Sequence, residues 1–541
     1  MAHRFAKPAV RTIVGTAVPL ALAVALVGCG SMREIVGNTS VGSEGKGSTG
    51  LVAPDDSSWT TGEVGCTTVE GLGDPMDTEE YAHLEETGFV SARTRPLSTV
   101  SSDVDTASYC NVRRMLRDGA TADEVPAGAV RIEELLNYFT YDYARPEGDD
   151  LFGATVHVGD CPWNEDTKLV TIGLATAPEA SAIAERGSNL VFLVDVSGSM
   201  DSDDKLGLLK DAFAELVSHL GGNDRVSIVT YAGVEEVVLE GARGDAHAQI
   251  MRAMRGLRAD GSTNGEAGLR MAYEVARRNH IKGGVNRIVM ASDGDLNVGM
   301  SSESDLHDYV DRQRETGVYL SVLGFGSGNY KDNKMETLAD HGNGSYHYID
   351  CVEEAEKVLG SDLTANLVPL ADDVRVQVEF NPALVKGYRL IGYENRAMAD
   401  EDFRNDERDA GDVGPGSQFT VAYEVALEGS AQEVVETDLR YGPGSSGDGQ
   451  SDEWLTATVR YLPADGGAAS EQAWSVGEGD WSRDPGGDWR LQAAVIELGM
   501  MLRGSDHAGS SSYDGIRELL RGAGDVEGRD DLAELVDLAR G

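Results

Sequence analysis

The spacing of hydrophobic residues is clearest in the middle of the chain, where strand-like and helix-like patterns alternate. Continuous apolar runs of strand length occupy residues 190–194, 226–230, 287–291 and 318–325. Between them, apolar residues recur every three or four positions, which predicts amphipathic helices over residues 206–220, 248–257, 266–278 and 304–315. This alternation predicts an α/β domain, in which a doubly wound and mostly parallel sheet carries helices on both faces.

The segments on either side of this domain have different patterns. Before it, helices over residues 107–117 and 130–139 and strands over residues 154–158 and 169–174 indicate an N-terminal α+β module. After it, period-2 alternation predicts a β-rich layer over residues 375–380, 419–427 and 455–461, followed by helices at residues 489–502 and 513–521. The predicted domains are the N-terminal module (residues 95–186), the central domain (187–368) and a C-terminal β-rich and helical domain (369–541).

The first residues have the pattern of a secretory signal peptide. Basic residues precede an uncharged apolar run over residues 12–27, which is short for a membrane-spanning helix. The run ends in Leu26-Val27-Gly28-Cys29, which resembles the lipobox of bacterial lipoproteins. This resemblance implies that residues 1–28 are removed and that Cys29 is acylated. The protein would then be anchored by lipid to the extracytoplasmic face of the cell membrane; an ordinary signal peptide is the alternative.

Composition changes the picture in two respects. A Gly/Ser-rich stretch after Cys29 predicts a flexible tether within residues 29–94. The chain has 92 acidic and 46 basic residues, so its surface repels phosphate backbones, and nucleic acid is excluded as a partner. With 41% hydrophobic residues the chain as a whole is nevertheless globular. The acidity favours solubility and identifies no function.

Four further cysteines follow the predicted lipidation site. Export would place them where disulfides persist. Their spacing contains no close pair of the kind that zinc sites use. Four cysteines allow three pairings, which the sequence leaves open; Cys110 and Cys161, which lie in one predicted module, are suggested as one pair. The cysteines are Cys66, Cys110, Cys161 and Cys351.

Polar side chains are concentrated in three loops of the central domain. Asp195 to Ser199 follow the first apolar strand, Asp260 to Gly265 precede a helix, and Ser292 to Asp295 follow the strand at residues 287–291. In parallel sheets, ligands bind outside the carboxyl ends of the strands. The loops supply hydroxyl and carboxylate oxygens, which suit Mg²⁺, Mn²⁺ or Ca²⁺ rather than zinc.

The order of these loops resembles a known metal centre. DxSxS, then a threonine, then an aspartate is the pattern of the metal-ion-dependent adhesion site of von Willebrand factor type A (VWA) domains. The resemblance implies that Ser197, Ser199 and Thr263 are hydroxyl ligands, and that Asp195 and Asp293 hold the waters of a divalent cation, foremost Mg²⁺. It also implies an open coordination position for an Asp or Glu of a protein partner.

Further stretches resemble a family of bacterial lipoproteins that carry the same central domain. They are DVDTASYCNVRRML, AVRIEELLNYF and CPWN before that domain, and YRLIGYENR and WRLQAAVIELGMMLR after it. The resemblance implies an N-terminal module and a C-terminal domain of unassigned role. At positions 110 and 351 the resemblance leads us to expect residues other than cysteine, so Cys110 and Cys351 are departures from the family.

Enzymatic motifs find little support. The DxDxT string at Asp103 lacks the preceding apolar strand of a phosphatase, so we interpret Asp103 and Asp105 as helix caps. Ser202 and Lys205 match S-x-x-K, but no K-T-G follows, and HExxH and G-x-S-x-G are absent from the sequence. The acidic loop over residues 400–412 lacks the spacing of an EF-hand and reads as solvated charge rather than a calcium site.

The sequence therefore predicts a non-enzymatic, lipid-anchored binding protein of the cell envelope. A metal-dependent hydrolase on the same fold is one alternative, because a bound cation can activate water. The other is a self-clamping scaffold, in which the central domain grips its own C-terminal region through the metal.

Overall fold

The computed structural model describes residues 78–178, 186–294, 303–435, 452–464 and 466–541. The predicted signal peptide, Cys29, Cys66 and most of the tether lie outside the described residues, as does Asp295. Within the described ranges, no helix is both long and apolar enough to cross a membrane.

The strands, numbered in chain order, are β1 (Val90–Ser91), β2 (Leu97–Ser101), β3 (Phe152–Asp160), β4 (Lys168–Thr176), β5 (Ser188–Asp195), β6 (Arg225–Tyr231), β7 (Glu236–Arg243), β8 (Val285–Ser292), β9 (Tyr319–Phe325), β10 (Tyr346–Ile349), β11 (Ala371–Phe380), β12 (Val385–Ile391), β13 (Ala397–Met398), β14 (Gly411–Val413), β15 (Gln418–Leu427), β16 (Glu453–Pro463) and β17 (Ser470–Gly477).

The α-helices are α1 (Ala107–Arg117), α2 (Ile132–Asn137), α3 (Leu208–His219), α4 (His247–Gly256), α5 (Gly265–Arg278), α6 (Glu303–Arg314), α7 (Asp332–His341), α8 (Val352–Glu356), α9 (Leu363–Leu367), α10 (Gly487–Arg503), α11 (Tyr513–Ala523) and α12 (Arg529–Arg540).

The central sheet has the order β10-β9-β8-β5-β6-β7. All neighbouring pairs are parallel except β6 with β7, which run antiparallel at one edge. β5 and β8 are almost wholly buried, because helices cover both faces of the sheet and their apolar side chains have no face open to water. The predicted doubly wound, mostly parallel α/β fold is confirmed.

Two further sheets combine strands from both ends of the described chain. One has the order β1-β12-β15-β4-β3, and the other has the order β13-β2-β11-β16-β17 with β14 on β11. β2 and β4 precede the central domain, whereas their partners β11 and β15 follow it. The two sheets share one hydrophobic core, to which Phe152, Val376 and Tyr423 belong. The β-rich and helical composition predicted for the C-terminal segment is confirmed.

The predicted capping role of Asp103 and Asp105 is wrong. Helix α1 begins after Thr106, and no side chain caps it. The two aspartates are buried and instead bind the guanidinium of Arg396, each at 3.1 Å, and Arg396 also binds Asp340 at 2.5 Å. These acids are therefore parts of an ion cluster that joins the segments before, within and after the central domain.

The suggested pairing of Cys110 with Cys161 is not formed in the structure, in which Cys110, Cys161 and Cys351 are all free thiols. Cys161 lies in the connection between β3 and β4, where its backbone amide bonds Thr167. Cys110 lies on α1, where Arg113 is in contact with both its sulfur and that of Cys351. The sequence placed Cys110 in the right element but with the wrong neighbour.

Candidate metal centre

The two predicted carboxylates lie at the carboxyl end of the central sheet. Asp195 is the last residue of β5, and Asp293 directly follows β8. Because β5 and β8 are adjacent and parallel, their ends bring these residues together. Both aspartates are fully buried. Burying two acids side by side is unfavourable unless a cation or hydrogen bonds compensate their charge.

The loop after β5 is folded by its own aspartate. The backbone amide of Ser197 donates to Asp195 Oδ1 at 2.9 Å, and the Oγ atoms of Ser197 and Ser199 are 3.0 Å apart. Ser197 is buried whereas Ser199 is exposed. The two hydroxyls thus extend the donor set from the buried carboxylates to the surface.

The loop that carries Thr263 packs against this turn. The amide of Gly198 donates to the carbonyl oxygen of Gly261 at 3.0 Å, and that of Asp260 donates to Val196 at 2.8 Å. Gly261 has a φ of +87°, a conformation that side chains disfavour, which explains a glycine at this bend. Half-buried Thr263 follows two residues later and precedes α5. These backbone hydrogen bonds thereby join the loop that carries Asp195, Ser197 and Ser199 to the loop that carries Thr263.

The electrostatics of the site favour a bound cation. Burial, together with the smaller effect of the neighbouring Asp293 carboxylate, raises the pKa of Asp195 to about 6, although hydrogen bonds from Ser197 oppose the change. Ser292 Oγ also donates to Asp195 Oδ2 at 3.2 Å. A positive charge at this place would stabilise the ionised form of Asp195.

Asp293 is held by two residues that the sequence did not identify. The Lys205 ammonium lies 3.1 Å from Asp293 Oδ2 and 2.8 Å from Asn329 Oδ1. The amide of Asn329 in turn donates to Asp293 Oδ2 at 3.1 Å. In the sequence Lys205 follows DxSxS closely, but it was considered there only as part of the S-x-x-K string. Asn329 lies in the loop after β9, and nothing in the sequence marked it.

The donor set fits a divalent cation. It consists of two carboxylates and three hydroxyls, all hard oxygen donors of the kind that Mg²⁺, Mn²⁺ and Ca²⁺ prefer. Asp195, Ser197, Ser199, Thr263 and Asp293 are the residues that would hold it. Histidine and thiolate ligands, which typify zinc sites, do not belong to the set.

The acidic loop over residues 400–412 has another role. Its acids pair with arginines of other elements, Asp406 with Arg460 and Asp409 with Arg314. Counter-charges from β16 and α6 therefore fix the loop to the body of the protein. The loop is bound by ion pairs rather than being only solvated, as the sequence suggested.

Comparison with protein families divides the chain into three matched stretches. Residues 75–171 match the model described as "von Willebrand factor", and residues 190–295 match "von Willebrand factor type A domain". Residues 365–541 match "Uncharacterized protein YfbK, C-terminal". Among solved structures, a von Willebrand factor type A protein from Catenulispora acidiphila is similar, with 14% identity, a TM-score of 0.41, and coverage of 74% of this chain and 91% of that one.

Two curated relatives extend the comparison. The protein sll0103 of Synechocystis is 28% identical over 174 residues, which cover 31% of this chain and 39% of that protein. The protein YfbK of Escherichia coli K12 is 38% identical over 479 residues, which cover 86% of this chain and 81% of YfbK. An alignment of that identity spans the central domain and both flanking segments, so the chain belongs to the YfbK family and carries the central VWA domain and C-terminal region of that family.

Proposed function

We propose that this protein is a non-enzymatic binding protein whose VWA domain holds a divalent cation and, through it, an acidic side chain of a protein partner. VWA domains typically mediate protein interactions and commonly bind a divalent metal. The observation that carries the proposal is the convergence of buried Asp195 and Asp293 with the Ser197 and Ser199 hydroxyls at one end of the sheet. Mg²⁺ is the cation we favour, with Mn²⁺ or Ca²⁺ as alternatives.

The geometry supports a carboxylate as the partner group. Only two acids belong to the donor set, so a bound cation keeps much of its positive charge and attracts a further anion. Exposed Ser199 and half-buried Thr263 lie at the surface side of the set, where a side chain from outside can reach. The partner then supplies an Asp or Glu to the remaining coordination position.

The hydrolase alternative requires a general base near the cation. Within the described part of the chain, Lys205 forms an ion pair with Asp293, and its ammonium is also bonded to Asn329. A protonated lysine in an ion pair is a poor base. These contacts therefore favour binding over catalysis.

The self-clamping alternative requires the C-terminal region at this edge of the sheet. Among the described residues, the backbone hydrogen bonds that this loop receives from outside the domain come from the segment that precedes it. The amides of Thr78 and Glu80 donate to the carbonyl oxygens of Gly328 and Tyr330 at 2.6 and 2.9 Å. These contacts favour an external ligand over the C-terminal region.

The lipid anchor at Cys29 is the second part of the proposal, and the lipobox sequence supports it. Cys29→Ala is expected to release the protein from membranes into the soluble fraction. Retention of this variant on membranes after a high-salt wash would show that lipid is not the anchor.

Affinity capture tests the binding proposal. The full-length protein is used as bait with Mg²⁺ or with chelator, alongside Thr263→Ala and Asp195→Ala. We expect a partner that is captured only with metal and is lost with both variants. Asp201→Ala is the matched control, because Asp201 is an exposed acid two residues beyond Ser199 and outside the donor set. Changing one acidic residue of the partner to its amide should also abolish capture.

Two results would contradict the proposal. Capture that is indifferent to the chelator and to both variants would show that the cation is not involved. Metal-dependent turnover of an ester, peptide or phosphate substrate, lost in Asp195→Ala, would establish the hydrolase alternative instead.

A further inference from the structure

Two cysteines that are distant in sequence share one neighbour in the structure. Cys110 lies on α1, and Cys351 directly precedes α8. The Nη2 atom of Arg113 is 3.5 Å from the sulfur of Cys110 and 3.7 Å from that of Cys351. These two contacts place the sulfurs at most about 7 Å apart. To join them, the Arg113 guanidinium must move aside and both side chains must rotate toward each other.

The charged groups around this pair do not favour a metal site. Ligand atoms of Cys110, Asp350 and Glu354 all lie within 4.8 Å of one another, which is a spacing that a metal ion could use. However, the guanidinium of Arg113 lies among them, 2.5 Å from Asp350 and 3.6 Å from Glu354. It already neutralises these carboxylates and would repel a second cation. The reaction that remains open to the two thiols is formation of a bond with each other.

We propose that Cys110 and Cys351 form a disulfide that joins helix α1 to the VWA domain. Each thiol loses its proton, the two sulfurs form one bond, and the two electrons reduce a disulfide-bearing oxidant to two thiols by exchange. The proposal depends on the extracytoplasmic location proposed above, where such oxidants are available. It does not depend on the metal centre.

The surroundings indicate when the bond forms. Cys110 is completely buried, and Cys351 is half-buried. Burial raises the pKa of the Cys110 thiol well above its ordinary value and that of Cys351 to about 11. Because only thiolates attack disulfides, the folded pair reacts slowly. The bond therefore forms while the chain folds, before α1 covers Cys110, and a reductant later reaches it from the side of Cys351.

Peptide mapping tests the proposal on the exported wild-type protein. Free thiols are alkylated without reductant, and the digest is analysed by mass spectrometry. We expect a peptide linking Cys110 to Cys351, whereas Cys161 is alkylated once the protein is unfolded in the presence of the reagent. Alkylation of both Cys110 and Cys351, a link from Cys110 to another cysteine, or a metal ion bound by Cys110 would overturn the proposal.

Thermal unfolding gives a second readout that includes a matched control. Reductant should lower the Tm of the wild type by roughly 5–10 °C, because cutting a bond that closes so long a loop enlarges the unfolded ensemble. The double variant Cys110→Ser/Cys351→Ser should have the lower Tm at the outset and not respond to reductant. Cys161→Ser should respond as the wild type does.

The comparison of the wild type with and without reductant does not depend on whether any variant folds. An unchanged Tm on reduction, together with alkylated Cys110, would refute the disulfide. Mg²⁺ titration of the reduced protein distinguishes this failure from failure of the metal centre, since the two proposals involve different residues.

Discussion

The two carboxylates of the proposed metal centre have different neighbours, and this difference predicts how each would respond to a bound cation. Asp195 accepts hydrogen bonds from neutral groups, the Ser197 amide and the Ser292 hydroxyl. Asp293 instead faces the ammonium of Lys205. Lys205 therefore compensates part of the buried negative charge when no divalent cation is bound, and it lies close enough to repel one.

Lys205→Met should tighten the binding of Mg²⁺. The substitution keeps an unbranched apolar side chain of similar length but removes the charge 3.1 Å from Asp293. We expect an affinity gain of about tenfold, or ~1.4 kcal/mol, in calorimetric titration. Lys210→Met is the control, because Lys210 lies on α3 and bonds the carbonyl oxygen of Leu257, so its removal should leave the affinity unchanged. Weaker binding by Lys205→Met would mean that the lysine orients Asp293 rather than competing with the cation.

At the residue scale, the residues proposed as metal ligands could be named from the sequence, whereas the residues that support them could not. The hydroxyl and carboxylate residues occur in a fixed order of motifs, which a single sequence displays. Lys205 and Asn329 come from separate elements, and only the fold brings them to Asp293. Arg396 was hidden for the same reason, because its acidic partners lie in two other segments of the chain.

Among the elements, α2 carries an unusual density of buried charge. Arg131, which precedes it, is fully buried and binds Glu134 of the same helix and Asp332 of α7. These pairs join the N-terminal segment to the VWA domain. Glu133 is also fully buried, beside the ion pair of Glu394 with Arg503.

Glu133→Gln should flatten the dependence of stability on pH. Burial, and next the charge of Glu394, raise the pKa of Glu133 from 4.5 to about 8, while Arg503 opposes the change. Between these two pH values the folded state keeps a proton that the unfolded state has lost, so the free energy of unfolding falls as the pH rises. We expect the wild type to lose on the order of 2–4 kcal/mol from this group between pH 5 and pH 8.5.

Urea unfolding at several pH values measures this effect. Glu133→Gln should lose less stability over the same range, because the amide does not titrate. Glu274→Gln is the matched control, since the Glu274 side chain is 62% exposed and should leave the slope as in the wild type. A variant with the wild-type slope would show that Glu133 is ionised throughout.

Elements with a regular hydrophobic period were predicted close to their observed bounds, and α1 was predicted at its observed bounds. Strand β12 was missed, because its sequence contains Arg389, which is buried and paired with Glu424 on β15. A charged residue at a core position interrupts the alternation by which strands are recognised. Edge strand β7 was missed too; it is only partly buried and has no clear period.

For the whole molecule, the sequence predicted separate flanking modules, whereas the structure interleaves them. Val100 of β2 pairs with Val376 of β11, and Thr171 of β4 pairs with Ala422 of β15. Hydrophobic periodicity identifies strands but does not identify partners that lie hundreds of residues apart. The VWA domain is therefore inserted between strands of two shared sheets, and the ion clusters of Arg131 and Arg396 connect it to them. The domain boundaries read from the sequence remain a prediction.

Calorimetric titration of the protein with Mg²⁺ tests the central claim most directly. The account predicts one bound ion per chain. Thr263→Val, which removes one half-buried hydroxyl, and Asp293→Asn, which removes one charge, should each weaken binding at least about tenfold, or ~1.4 kcal/mol. Their circular dichroism should stay that of the wild type, and Asp201→Asn should bind normally. Wild-type affinity in both Thr263→Val and Asp293→Asn, or the absence of binding of Mg²⁺, Mn²⁺ and Ca²⁺ by the folded wild type, would contradict the account.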